Sequence, residues 1–173
     1  MVLFVLGAGF SALFVSPSTP TKTTHTAFRR LAGKHAVYFS DVPVLDVQGD
    51  PNQVAAWLQS RAPWPVAVPQ LTGWSLAGGR LGEFHHEPAI FLLYQRDGQR
   101  LSLVQFSPRE SDFPPEARQR LPGRDVYVDK AMGYPVVLWQ QNGVGYGLIG
   151  DKSQTVEQLL TLGQEIFPQI SEN

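Results

Sequence analysis

The stretch "EFHHEP" sets Glu83, His85, His86 and Glu87 within one short run, and these side chains can ligate a metal or move a proton. Imidazole and carboxylate suit zinc, copper or iron. The chain has no cysteine, so a metal set would be built from Glu83, His85 and His86, with Glu87 as the other nearby acid and at least one ligand from a distance. His25 and His35 are the remaining histidines. On a strand His85 and His86 point to opposite faces, so only one of them joins a site without a local bend.

A nucleophile is harder to place. Ser40, Ser75, Ser102 and Ser107 do not sit in G-x-S-x-G, and no Cys/His pair exists. Asp125 with Asp129, or Asp112 with Glu116, offers carboxylates for acid/base work, and a pocket among Asp112, Arg124 and Asp125 would be the place for a secreted enzyme's chemistry. Spacing alone does not make any of these a couple. "GVGYGLIG" and "LGAGF" are glycine-rich, but neither has the strand-loop-helix setting that cradles a phosphate. The reading that follows is a non-enzymatic chain with no catalytic residue and no cofactor.

The elements that would position these residues are legible from pattern. "HTAFRRLAGKHAVYFS" sets Phe28 and Leu31 at helical spacing and reads as a short helix that frays near Gly33. Asp50 caps a second helix, Pro51 to Arg61, with Val54, Trp57 and Leu58 on its apolar face. "APWPVAVP" cannot be a central strand, because its prolines remove ladder donors, and so it reads as a connector laid on the core. Next come a Gly-interrupted strand, "GWSLAGGRLGEFHH", and a hairpin turning at Asp97-Gly98. "SPRESDFPPEARQRLPGRD" reads as a polar surface excursion. A closing hairpin turns at Asn142-Gly143, where Gly145 and Gly147 bare one face so that another element can approach, and a last helix carries Val156, Leu159, Leu160 and Leu162. The expected fold is α+β, an antiparallel meander of four to five strands with helices packed on one side. Trp57, Trp64, Trp74, Tyr94, Tyr134, Trp139 and Tyr146 read first as core. If any contact a partner, Tyr134, Trp139 and Tyr146 are the candidates, being aromatic and close to a hairpin end.

Balance and the N-terminus bound the surroundings. With 14 basic and 15 acidic residues the formal charge is -1, which speaks against nucleic acid as a partner. Residues 1–16 are apolar and free of charge, 17–24 form a Ser/Thr/Pro linker, and 25–173 make one domain. The run Val2–Val15 would rise about 21 Å as a helix, against the roughly 30 Å of a hydrocarbon core. Three readings stand: the outer end of a longer membrane helix starting upstream of Met1, a cleaved signal, or a buried core element. Lys22, Arg29, Arg30 and Lys34 form a positive flank of the kind that stays cytoplasmic, opposing an outward topology.

The segments "DPNQVAAWLQSR", "VPQLTGWSLAGGRL", "PAIFLLYQRDGQRLSLVQF" and "GYPVVLWQQNGVGYGLIGD", taken in order, resemble the extracytoplasmic domain of bacterial transmembrane anti-sigma factors across about Val44 to Leu162. The apolar run and linker resemble that family's membrane helix and spacer. The cytoplasmic sigma-binding region of the family is missing from this sequence. The matched positions are turns and core, so no residue role carries over. The resemblance implies a non-enzymatic sensor or interaction domain, anchored once in the inner membrane and lying in the periplasm or outside the cell. It would regulate transcription indirectly, through a protein partner at or outside the membrane and an indirect link to a sigma factor. The alternative from another class is a periplasmic metal-binding or redox-accessory domain using His85, His86 and Glu83.

Overall fold

The computed structural model describes residues 25–171; the apolar segment 1–16 and the linker 17–24 lie outside the described residues. Helices α1 (Thr26–Tyr38) and α2 (Pro51–Gln59) precede strands β1 (Ser75–Phe84), β2 (Glu87–Arg96), β3 (Gln99–Phe106), β4 (Arg118–Leu121), β5 (Arg124–Ala131), β6 (Tyr134–Gln141) and β7 (Val144–Gly150), and α3 (Val156–Ser171) closes the order. The strands form one seven-stranded antiparallel sheet in the order β1-β2-β3-β7-β6-β5-β4. The fold is α+β, as its pattern implied. Among the described residues, no helix is long and apolar enough to cross a membrane.

Seven strands replace the expected four to five because the Pro-rich excursion is not all loop. It makes two short 3-10 turns, Glu110–Asp112 and Pro115–Ala117, and then the strand Arg118–Leu121, whose polar side chains suit an exposed sheet edge. "DVYVD" lies within β5, its partner.

Helices on one side is the second correction. In β2, Ile90, Leu92 and Tyr94 face one core with Leu103, Trp139 and Leu148, while Phe91 and Leu93 face another with Val104, Leu138 and Ile149. A sheet apolar on both faces must be covered on both. Accordingly α1 supplies Phe28, Leu31 and Ala32 to the second core, while α2 and α3 supply Val54, Leu58, Leu159 and Ile166 to the first. Helix α1 does not fray at Gly33 but runs to Tyr38, since its buried stripe continues through Leu31, Ala32 and His35.

Local chemistry sets the elements. Asp50 accepts from Asn52 N at 2.8 Å as the cap of α2, with Pro51 in its first turn. The connector after α2 stays extended because buried Gln105 plays the part of a strand neighbour. It accepts from Ala67 N at 3.0 Å and donates to Ala67 O at 2.6 Å, and the Tyr94 hydroxyl donates to Pro69 O at 2.7 Å. A Cβ on Gly147 would lie 2.9 Å from Leu31 Cδ1, so the bare hairpin face is where α1 settles.

Gly78 marks a bulge in β1, at φ 154°, against the segment that covers this sheet edge through the Val47–Gly79 bridge. A Cβ there would meet Val47 O at 2.3 Å, a backbone atom that cannot swing away. Gly78→Ala should therefore destabilise the protein by about 2 kcal/mol or more, read as a lower denaturant midpoint. Gly143→Ala, with open space around its Cβ, should cost only about 1 kcal/mol through its positive φ.

Candidate functional site

His85 and His86 are not strand residues. They are the two residues between β1 and β2, with φ of 55° and 64°, as a tight two-residue hairpin turn requires. The turn swings His85 inward. Its ring lies 4.0 Å from that of Phe84, and its Nε2 sits 2.6 Å from Asp112 Oδ1. Arg30 Nη1 lies 2.7 Å from Nδ1. A guanidinium can only donate, so Nδ1 is the acceptor and Nε2 carries the proton given to Asp112.

Asp112 is buried, and its second oxygen accepts Arg109 N at 2.9 Å within the 3-10 turn. The Arg109 guanidinium reaches His85 O at 3.0 Å and Glu87 Oε1 at 2.8 Å. Arg109, with a further bond from Ser107, holds the Glu87 carboxyl below its ordinary value. The hairpin turn, the 3-10 turn and α1 are thus joined by one polar network. Two clefts meet at it, of about 490 and 420 Å³, both bordered by Arg30 and His85.

Glu83 and His86 border the larger cleft with His85, yet both His85 nitrogens are already engaged. Among the described residues, no group of three or more His, Asp and Glu is gathered to hold a metal. Asp112 does not meet Arg124 and Asp125. The latter border an open cleft with Phe113 and Tyr127, where Asp125 pairs with Arg120 at 3.2 Å and Arg118 at 3.7 Å. Arg124 stacks 3.9 Å over the Phe167 ring, and burial lowers its pKa. Asp129 accepts from its neighbour's backbone, Lys130 N, and Glu116 lies 3.6 Å from His25 Nδ1.

The aromatic contact candidates separate. Trp139 and Tyr146 are 0% and 2% exposed, stacked at 5.3 Å beneath Phe167 of α3. They are core and cannot offer their rings to a partner in the folded domain. Burial pushes the Tyr146 hydroxyl up to about 12. Tyr134 is half-buried, bordering a surface cleft with Asp151 and Lys152.

A second constellation escaped sequence reasoning. His35 Nδ1 lies 2.6 Å from Ser102 Oγ, and His35 Nε2 lies 3.7 Å from Asp151 Oδ1. The residue types are those of a serine hydrolase triad. However, Ser102 is 0% and His35 2% exposed, so no substrate carbonyl can reach the hydroxyl. The group fastens α1 to β3 and to the end of β7. Only the helical face shared by Leu31 and His35 hinted at it.

No protein-family model, no curated protein and no solved structure matches this chain.

Burial raises the Asp151 pKa, but the His35 ring 3.7 Å away, the hydrogen bond from Arg100 N and the Arg100 charge outweigh it and hold the carboxyl below its ordinary 3.8. A depressed folded-state pKa gives stability that is fully present above the unfolded value and lost as pH falls through the folded one. Urea midpoints should therefore hold between about pH 6 and pH 5 and drop as the pH falls through about 4 and below, and Asp151→Asn should lower the pH 6 midpoint and flatten that acid slope. Ser102→Ala, which strips the buried His35 Nδ1 of its partner, should cost about 1–3 kcal/mol.

Proposed function

We propose that this chain is a non-enzymatic sensory or interaction domain, anchored in the inner membrane through residues 1–16 and lying outside the cytoplasm. It acts on transcription indirectly through protein contacts, as the resemblance to anti-sigma factor extracytoplasmic domains implies. The observation that carries the reading is the position of α1. This helix follows directly on residues 17–24, forms a wall of the cleft at the β1–β2 turn, and is tied to the sheet by the polar contacts of Arg30 and His35 as well as by its apolar stripe. Occupation of the cleft would change the free energy of docking α1, and a helix that leads to an anchor passes such a change on.

The sealed state of Ser102 and His35 supports an interaction role over hydrolysis, since the groups with the right chemistry are spent on holding α1. Deleting the gene and restoring it with the full chain tests the reading. The expected outcome is a change in the transcripts of one sigma factor's regulon that complementation reverses. Transcripts unchanged by deletion, under envelope stress and without it, overturn the proposal.

A further inference from the structure

Two cations without a carboxylate partner border the cleft between α1 and the β1–β2 turn. Among the described residues, Arg30 makes one hydrogen bond, to the His85 imidazole, and Lys34 Nζ donates to the Tyr38 hydroxyl at 2.9 Å. Arg80 lies behind them, 4.4 Å over the Tyr38 ring, with a buried Nε that has no partner. Elsewhere Arg100, Arg109, Arg118 and Arg120 each reach a carboxylate. The cleft thus sets two cations, Arg30 and Lys34, against one carboxylate, Glu83.

The cleft is built as well as charged. At about 490 Å³ it falls in the range of small-molecule sites, and Val37, Tyr38 and Phe84 give it apolar walls. Val37 is 68% exposed, an apolar side chain left facing solvent at the rim. The Arg30 fork is oriented from behind: Arg109 N holds Asp112, Asp112 holds His85 Nε2, and His85 Nδ1 holds Nη1. That leaves Nη2 and Nε, the pair that grips a carboxylate side by side.

We propose that this cleft binds a small organic carboxylate, its anion on Arg30 and Lys34 and its apolar body against Phe84 and Val37. Inorganic phosphate fits less well, because it has no apolar body to cover those walls and Glu83 on the cleft wall opposes a second negative charge. The inference rests on the sensory reading for its consequence, since α1 carries Arg30, Lys34 and Val37.

Titration calorimetry on the full 173-residue chain in a nonionic detergent tests it, with hydrocinnamate, hydrocinnamyl alcohol and inorganic phosphate in separate arms. Hydrocinnamate should bind at least about tenfold more tightly than the alcohol or phosphate. Arg30→Ala should weaken hydrocinnamate about tenfold without changing the alcohol, and Arg30→Lys should recover part of the loss. Arg30 is exposed, and matched circular dichroism and urea midpoints check that each variant keeps the wild-type fold, with Arg30→Lys as the variant that retains the charge. Glu83→Gln should narrow the gap between phosphate and carboxylate. Equal binding of acid and alcohol, equal binding by the Arg30→Ala chain, tighter phosphate binding, or no binding to the wild type would each overturn the site. Any of these leaves the transcript experiment standing. Selective carboxylate binding with an unchanged regulon would instead keep the site and remove its sensory role.

Discussion

Burial on both faces of the central strands is the constraint on which the rest depends. Strands β2, β3 and β7 carry apolar side chains alternately toward two cores, so neither face of the sheet can be left to water. Each fully buried aliphatic or aromatic side chain contributes roughly 1.5–3 kcal/mol, and exposing either face would forfeit several such contributions. Helix α1 lies on one face, and α2 and α3 lie on the other, α2 over β1 and α3 over β6 and β7.

That arrangement decides where polar groups can go. A helix settled on a closed face brings its own polar residues into the interior, and His35 arrives above β3. Unpaired, a buried imidazole would cost free energy, and Ser102 and Asp151 satisfy it. At the other end of α1 the same logic gives His85 its two partners, Asp112 and Arg30. The two networks differ in access. The first is sealed beneath the helix, whereas the second opens on clefts at the sheet's rim. Like residue types therefore hold the structure together in one place and offer donors to a ligand in the other.

Local signals were legible where side-chain chemistry alone dictates conformation: the Asp50 cap, the turns at Asp97-Gly98 and Asn142-Gly143, the prolines that keep the 63–69 connector out of the ladder, and the bare face at Gly147. What could not be read depends on distant partners. Arg118 to Leu121 is too short and polar to read as a strand until β5 supplies its ladder, which is why this edge strand is hidden in the excursion. His85 and His86 read as strand because histidine is not a common turn residue, and positive φ at such positions is imposed by the two-residue closure between β1 and β2. The sidedness of the helices was present in the alternation of Ile90 to Tyr94, whose apolar residues on both faces already demanded two covers. Pairing of His85 with Asp112, or of His35 with Ser102, spans tens of residues and leaves no local trace.

The charge pattern completes the argument from face to rim. Several cations away from the cleft reach carboxylates or lie over rings, Arg118 and Arg120 on Asp125, Arg61 over Trp57, Arg96 over Trp74; at the cleft Lys34 and Arg80 lie over Tyr38, while Arg30 has the His85 imidazole. Around the cleft two carboxylates appear: Glu83 stands on its wall, and Asp112 is buried and given to the His85 imidazole rather than to the guanidinium beside it. Interposing His85 transmits orientation from Asp112 to Arg30 while withholding the carboxylate itself from contact. Direct pairing of Arg30 with Asp112 would have tied up the fork that a ligand needs. The imidazole therefore separates two demands that one salt bridge would merge, namely fixing the arginine and leaving its charge available.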